Sequence, residues 1–404
     1  MKTIFVGLDV SKDDFKAAVK NEENKLIRPV KAYGHDMLSL KAFDKDIESI
    51  KKQLGCCAIY GMESTGIFHL SVYQHLLDAG AHVKLFNSLE LKRYKSSIRK
   101  TKTDDLDAQA IAEALLLVRD ASYDPASETE LINLRELCRV RARMTKKITQ
   151  CKNQAIRNMD TLCRGYTNLF SDIFQPSSIG IMKATIRSTR LFKTDINTLE
   201  NILVKYMPHP AAEKKAELLR DLFQHAVVPE HMKEICIMEL HMLIQQYELL
   251  KQQVVRIEKR IEKGVKEIDT CIMSIPGIGT LTAGIVLGEL GDLSRFTNHN
   301  QLTAFAGLDP SIKESGRSSK TGRISKRGSP MLRQALYHAA LPASRVNPVC
   351  QQLYQRLKAK GKHHKVCMVA VARKLLHIAY SVERNHRDFY VPAYILEQMA
   401  NSES

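Results

Sequence analysis

The sequence predicts three successive units: an α/β domain over residues 1–122, a helical middle over 123–270 and a mainly α unit over 271–404. Three observations predict it. Short β-rich runs alternate with helical periodicity in the first third. A heptad of apolar residues runs through the middle. Glycine-punctuated helices fill the last third. A chain of 404 residues has core enough for two or three domains.

The elements follow in order. Ile4–Val10 is a short β-rich run, and Asp13–Lys20 alternates apolar and polar residues (Phe15, Ala17, Val19). A third strand through Leu26–Tyr33 completes an antiparallel meander. Met37–Leu54 has helical periodicity, with Leu40, Phe43, Ile47, Ile50 and Leu54 on one stripe. Cys57–Glu63 reads as a buried strand, Ser64–Gly66 as a turn, Phe68–Ala79 as a helix, Ala81–Asn87 as a strand and Asp104–Leu117 as a helix. A leading meander followed by strands with helical crossovers is the order of a ribonuclease-H-like sheet.

Pro125 marks a boundary and a helix start. Leu134, Leu137, Met144, Ile148, Cys151 and Ala155 then form an apolar stripe between basic residues. Leu243, Tyr247, Leu250, Val254, Ile257 and Ile261 repeat at alternating fours and threes, a coiled-coil seam. These two long helices pair either within the chain or between subunits. Residues 165–230 read as helical, with Pro176, Pro208 and Pro210 as breakers. In the last unit Ile275-Pro-Gly-Ile-Gly279 resembles a helix-hairpin-helix turn, whose free amides at Gly277 and Gly279 suit a phosphate. An ordinary glycine turn between packed helices is the other reading. Helices are expected at Met331–Ala343, Val349–Lys360 and Lys365–Glu383.

The formal charge of +17 and a pI near 9.4 point to a polyanion, with nucleic acid the default. Nine scattered cysteines, with no Cys-x-x-Cys pair and no zinc spacing, read as free buried thiols in a reducing cytosol. The N-terminus enters a strand at once, so no signal peptide is expected and the expected location is cytoplasmic. No apolar run reaches the length of a membrane span.

Phe305–Arg333 is the densest basic stretch. After Pro310 it reads as a loop of Ser, Gly, Lys and Arg that re-enters a helix near Pro330. Gly316, Gly322 and Gly328 are expected to take positive φ and let a ligand approach the backbone. Lys313, Arg317, Lys320, Arg323, Lys326, Arg327 and Arg333 supply a cationic field for a phosphate backbone. Ser315 stands at the tip.

Carboxylates carry the remaining chemistry. Asp9 and Glu63 each end a strand, and Asp104 and Asp107 are three apart on one helix face. Clustered carboxylates stay ionised cheaply only with a cation among them, and oxygen-only ligands suit Mg²⁺ or Mn²⁺. Singly, each acid is as readily a surface charge, and Asp104 a helix N-cap. Lys12, just after Asp9, either orients a phosphate or is one of many surface lysines.

Gly7-Leu-Asp-Val-Ser-Lys12, Glu63-Ser-Thr-Gly66 and Lys102-Thr-Asp-Asp-Leu-Asp107 resemble the RuvC-like Asp-Glu-Asp-Asp (DEDD) domain of the IS-one-ten/IS-eleven-eleven insertion-sequence transposases. Ile275–Gly279, Phe305–Pro310, Ser315-Gly316, Gly322–Gly328 and Leu332-Arg333 resemble the C-terminal transposase domain of the same family, a plan shared with the Piv DNA invertases. The resemblance implies that Asp9, Glu63, Asp104 and Asp107 bind divalent metal and that Ser315 attacks DNA to form a covalent phosphoserine. It also implies a composite active site between subunits of a dimer or tetramer, and guidance by a bridge RNA. Ser318, Ser319, Ser325 and Ser329 remain competing nucleophiles. A Holliday-junction-type nuclease using the four acids with water is the alternative enzyme.

Overall fold

The computed structural model describes residues 2–63, 68–86, 91, 104–117, 125–186, 193–291, 293, 296, 298–315, 318–393 and 395; the side chains of 104, 125–128, 311–315 and 318–323 lie outside that description. The chain divides into two compact units, Met1–Thr129 and Glu130–Ser404.

The first unit is a mixed α/β fold. Strands β1 (Lys2–Val10), β2 (Asp14–Lys20), β3 (Lys31–Gly34), β4 (Cys56–Glu63) and β5 (His82–Phe86) form one sheet in the order β3-β2-β1-β4-β5. The meander β1-β2-β3 is antiparallel, and β1, β4 and β5 are parallel. The third strand starts at Lys31 rather than Leu26. Pro29 has no N–H for the ladder, so only an isolated bridge at Leu26 precedes it.

Helix α1 (Met37–Leu54) starts where the Asp36 carboxylate accepts the Leu38 and Ser39 N–H groups, and ends at Gly55 with φ 59°. Its buried stripe is Leu40, Phe43, Ile47 and Ile50. Phe43 packs edge-on to Phe15 and Tyr33, with ring centroids 5.3 and 5.2 Å apart. Helix α2 (His69–Asp78) precedes β5, and α3 (Asp104–Leu117) packs on β1 and β4.

The second unit is built on two helices of 38 residues, α4 (Pro125–Leu162) and α8 (Glu230–Glu267). Arg141 bonds Glu258 at 2.8 Å, the Cys151 thiol bonds the Leu243 carbonyl at 3.1 Å, and Arg157 lies 4.0 Å from Glu239. Partner numbers fall along α8 as they rise along α4, so the helices run antiparallel within one chain. The heptad seam is consumed there: Leu243, Tyr247, Leu250, Val254 and Ile261 are all buried. Between the two helices stand α5 (Pro176–Ile186), α6 (Ile196–Leu203) and α7 (His209–Gln224). They close a core around Tyr166, Phe174, Leu199, Leu219 and Phe223.

The opposite ends of α4 and α8 enter a second core with α9 (Thr280–Leu290), α10 (His299–Ala306), α11 (Pro330–Val346), α12 (Pro348–Ala359) and α13 (His364–Arg384). Residues after Pro310 are not a loop. They form an antiparallel hairpin, β6 (Pro310–Ser315) and β7 (Ser318–Ile324). The period-2 pattern of Ile312, Glu314 and the facing Ser319, Thr321 supports a ladder, which the abundance of Ser, Gly and Lys obscures. All nine cysteines are free. No helix among the described residues is long and apolar enough to cross a membrane.

Candidate functional site

Two short segments build the acidic site: Gly7-Leu-Asp9 and Gly61-Met-Glu63. They lie side by side in parallel register, Gly7 opposite Gly61 and Leu8 opposite Met62. Side chains alternate along a strand. Asp9 and Glu63 therefore project on the face of the two glycines, which is the face α3 covers. A Cβ on Gly7 would lie 2.1 Å from the Ala108 carbonyl oxygen and 2.4 Å from the Ala112 nitrogen; one on Gly61 would meet the Leu115 side chain at 2.9 Å. Gly7 lets the helix backbone rest on the sheet, and Gly61 makes room for the Leu115 side chain. Ala108, Ile111, Ala112 and Ala114 of that helix are buried.

Asp9, Glu63 and Asp107 are partly exposed, as a reacting site requires. Asp104 is the first residue of α3, and its side chain lies outside the described residues. Asp105 faces elsewhere, accepting a 2.8 Å bond from Lys16. Lys12 is exposed in the turn after β1. The donor set of Asp9, Glu63, Asp104 and Asp107 is all carboxylate oxygen, which suits a hard divalent cation. Among the described residues no group of three or more carboxylate, histidine or cysteine side chains is arranged to hold a metal ion.

In the second unit Ser315 ends β6, paired across the ladder with Ser318; Gly316 and Arg317 lie outside the described residues, as do the side chains of Ser315, Lys320 and Arg323. The base of the hairpin is locked. Ser325 N–H donates to the Asp309 carbonyl at 2.8 Å, Lys326 N–H to Gly307 at 3.2 Å and Ser329 N–H to Phe305 at 2.7 Å. Gly328 is needed for this closeness and not for positive φ, since a Cβ there would sit 1.9 Å from the Phe305 oxygen. Among the described residues of this stretch, positive φ falls on Gly307 (62°) and Lys326 (56°). Arg333 donates to the Ala306 carbonyl at 3.0 Å and Arg373 to Leu308 at 2.7 Å. Lys326 and Arg327 are exposed. Ser325 bonds the Asp309 carboxylate, and Ser329 caps α11 by accepting the Leu332 N–H.

The helix-hairpin-helix-like turn is also anchored. Gly277, with φ 96°, packs so tightly on α11 that a Cβ would lie 2.6 Å from that of Ala343. Gly279 opens α9 with free space around it.

Sequence reading missed Glu289. It is buried in α9, accepts from Arg139 Nε at 3.0 Å with one oxygen and from the Ser329 hydroxyl at 2.7 Å with the other. Its isolated position in an apolar helix was the one available signal. Burial first, and then the Glu289 charge, push the Cys138 thiol up to about 12. That thiol is therefore inert at neutral pH. Glu289→Ala leaves Ser329 without its carboxylate acceptor at the hairpin base and Arg139 with its bond to Glu136, and about 2 kcal/mol of stability is expected to go with it. A thermal melt beside Arg139→Ala checks this; an unchanged melting temperature in Glu289→Ala contradicts it.

Comparisons with known proteins place the two halves of this arrangement in one family. Residues 6–164 match the transposase domain described as DEDD_Tnp_IS110, and residues 269–355 match the transposase family IS116/IS110/IS902. The chain carries both transposase domains of the IS110/IS116/IS902 type. A family transposase for insertion sequence IS1328 from Yersinia enterocolitica is 25% identical over 93% of this chain and 96% of its own length. The transposase for IS1111A from Coxiella burnetii is 27% identical over 84% of this chain and 78% of its own. A pilin gene-inverting protein of Moraxella bovis is 38% identical over 29% of this chain, and the match spans 37% of that protein. The match to a 43.6 kDa protein of insertion element IS110 spans 28% of its length. The first transposase match contains all four carboxylates; the second contains the hairpin and Glu289.

Proposed function

We propose that the protein is a DNA transposase or site-specific recombinase that cuts and rejoins strands through a covalent phosphoserine. The observation that carries this reading is the paired Gly-x-acid register of β1 and β4 beneath α3. It sets two carboxylates at adjacent strand ends and brings the helix of Asp104 and Asp107 over them. The sheet order, an antiparallel meander leading into parallel strands, supports a RuvC-like fold for residues 1–122. Residues 123–270 serve as the helical spacer and 271–404 as the transposase domain.

Asp9, Glu63, Asp104 and Asp107 hold Mg²⁺ or Mn²⁺, which supplies charge neutralisation at the scissile phosphate. Ser315 Oγ forms a bond to phosphorus and loses its proton; the phosphorus–oxygen bond to the departing strand end breaks, and that oxygen takes up a proton. The bond energy is kept in the phosphoserine, so rejoining needs no nucleotide. Lys12, Gly277, Gly279, Arg317, Lys320, Arg323, Lys326, Arg327 and Arg333 contact phosphates. Arg333 does so from a position already braced by Ala306. The net charge of +17 supports a bridge RNA as a further partner. Ile235, Met238, Met242 and Leu249 stand exposed at heptad spacing along α8, away from its buried seam, and support a homo-oligomer.

Incubation with the flanking element DNA, its adjoining noncoding RNA and Mg²⁺, followed by a denaturing gel, tests the serine step. Wild type is expected to leave a protein–DNA adduct and Ser315→Ala none. Cleavage retained in Ser315→Ala without adduct is the result of a junction-type nuclease and would sink the phosphoserine. The pilin-inverting relative favours an inversion reaction as the second reading; exchange between inverted sites on one DNA distinguishes it from insertion at a new site.

A further inference from the structure

The basic character of the second unit does not end at the hairpin. Between Glu314 and Glu383 the chain has no aspartate or glutamate at all, while it carries 14 lysines and arginines. At the average of 44 acids in 404 residues, about seven would fall in such a stretch. The cations gather twice. One cluster is the hairpin and its base. The other is the turn from α12 to α13, where Lys358, Lys360, Lys362 and Lys365 fall within eight residues.

That turn is built, not loose. Gly361 takes φ 69°, its N–H donates to Lys358 at 2.9 Å, and Lys362 N–H donates to Leu357 at 3.1 Å. These bonds close α12 in a glycine C-cap. His363 Nδ1 accepts the Lys365 N–H and opens α13, while the Tyr354 hydroxyl and His364 Nδ1 share a 3.0 Å bond. All four lysines are exposed, and among the described residues none is ion-paired. Lysines 263 and 266 on α8 are different: each faces a glutamate, at 3.5 and 2.9 Å.

Contacts within the unit fix where the turn emerges. Arg333, near the start of α11, and Arg373, the tenth residue of α13, bond carbonyls two residues apart. At the far ends, Ala343 of α11 meets Gly277 and Glu383 of α13 accepts from Thr270 and Cys271. The two helices therefore run in the same sense, and at 1.5 Å per residue α13 begins about 9 Å beyond the start of α11. The hairpin enters α11 at that same end.

We propose that Lys358, Lys360, Lys362 and Lys365 form a second anchorage for a phosphodiester backbone, flanking the segment held at the hairpin. The proposal rests on the nucleic-acid reading above. The turn lies beyond residue 355, outside both matched family segments. Unpaired lysines on a fixed turn release condensed counterions when they bind phosphates, and the release is measurable as a salt slope.

The test is the affinity of the full-length protein for a labelled DNA duplex, and for an RNA duplex of equal length, over a series of KCl concentrations. Lys360→Ala/Lys362→Ala is expected to lower the slope of log K against log salt by about 1.8. At 0.1 M salt it should weaken binding by roughly 10- to 100-fold. Lys263→Ala/Lys266→Ala removes the same charge from paired positions and is expected to change the slope far less. Lys360→Gln/Lys362→Gln repeats the test with hydrogen-bonding side chains, and thermal melts verify that each variant is folded. A loss with DNA alone assigns a DNA backbone, a loss with RNA alone an RNA backbone, and a loss with both the shared one. An unchanged slope in a folded Lys360/Lys362 variant, or an equal loss in the Lys263/Lys266 variant, overturns the anchorage and leaves the transposase reading standing. Wild type that binds neither duplex overturns both.

Discussion

Asp9→Asn is expected to abolish strand cleavage and joining, by roughly 10³-fold, in a protein that melts within a degree or two of wild type. The substitution keeps the shape of the side chain and removes its charge. Asp9 is partly exposed at the end of β1, so the fold loses little. A site that depends on clustered carboxylate charge loses several kcal/mol of transition-state stabilisation, and each 1.4 kcal/mol is tenfold in rate. Asp105→Asn is the matched control on α3. Among the described residues it gives up the pair with Lys16, two side chains 56% and 27% exposed, a contact worth less than about 1 kcal/mol. Quantified recombination products and thermal melts for both variants decide the matter. Equal activity in Asp9→Asn and wild type would remove Asp9 from the chemistry, and equal losses in the two variants would mean that any charge on this face suffices.

Much of this arrangement is legible in the sequence because it depends on local pattern. The meander, the long helices and the helix after Lys102 follow from periods of two and 3.6. The carboxylates stand out because Gly-x-acid recurs at two strand ends. What stays hidden is contact between distant residues. Gly7 and Gly61 read as loosened strand positions, and nothing local says that a helix backbone rests on the first and a leucine side chain on the second. Gly328 reads as a residue for unusual φ, whereas its role is to admit the Phe305 carbonyl 23 residues away. The hairpin is masked by composition: Ser, Lys and Gly are common in loops, and the ladder between Ile312 and Thr321 appears only when the two strands are set against each other. Along α8 the seam shows that the helix must be covered, but not by what. Leu243 faces Cys151 of the same chain, a pairing fixed by the intervening α5–α7 core. Glu289 is the converse case, a carboxylate whose partners lie 150 residues before it and 40 after.

The close seating of α3 yields the largest expected stability effect. Gly7→Ala places a methyl group 2.1 Å from the Ala108 oxygen and 2.4 Å from the Ala112 nitrogen, well inside contact distance. Both atoms belong to helix backbone, so no side chain can turn aside; α3 must lift or β1 must bend. Overpacking of this kind costs about 3 kcal/mol, and for a unit of this size the melting temperature falls by roughly 10 °C. Gly61→Ala meets only the end of Leu115, which has other rotamers, so a loss of about 1 kcal/mol is expected. Gly279→Ala meets nothing within 4 Å at φ −95° and is expected to be neutral or slightly stabilising, since alanine narrows the unfolded ensemble. The three melts should rank in that order. If the proposed acid site holds, activity should fall further in Gly7→Ala than its stability alone explains, even below its melting point, because lifting α3 displaces Asp107 relative to β1 and β4. A Gly7→Ala protein that melts with wild type, or that recombines normally when folded, would show that the glycine–helix contact neither supports this domain nor sets the spacing of its acids.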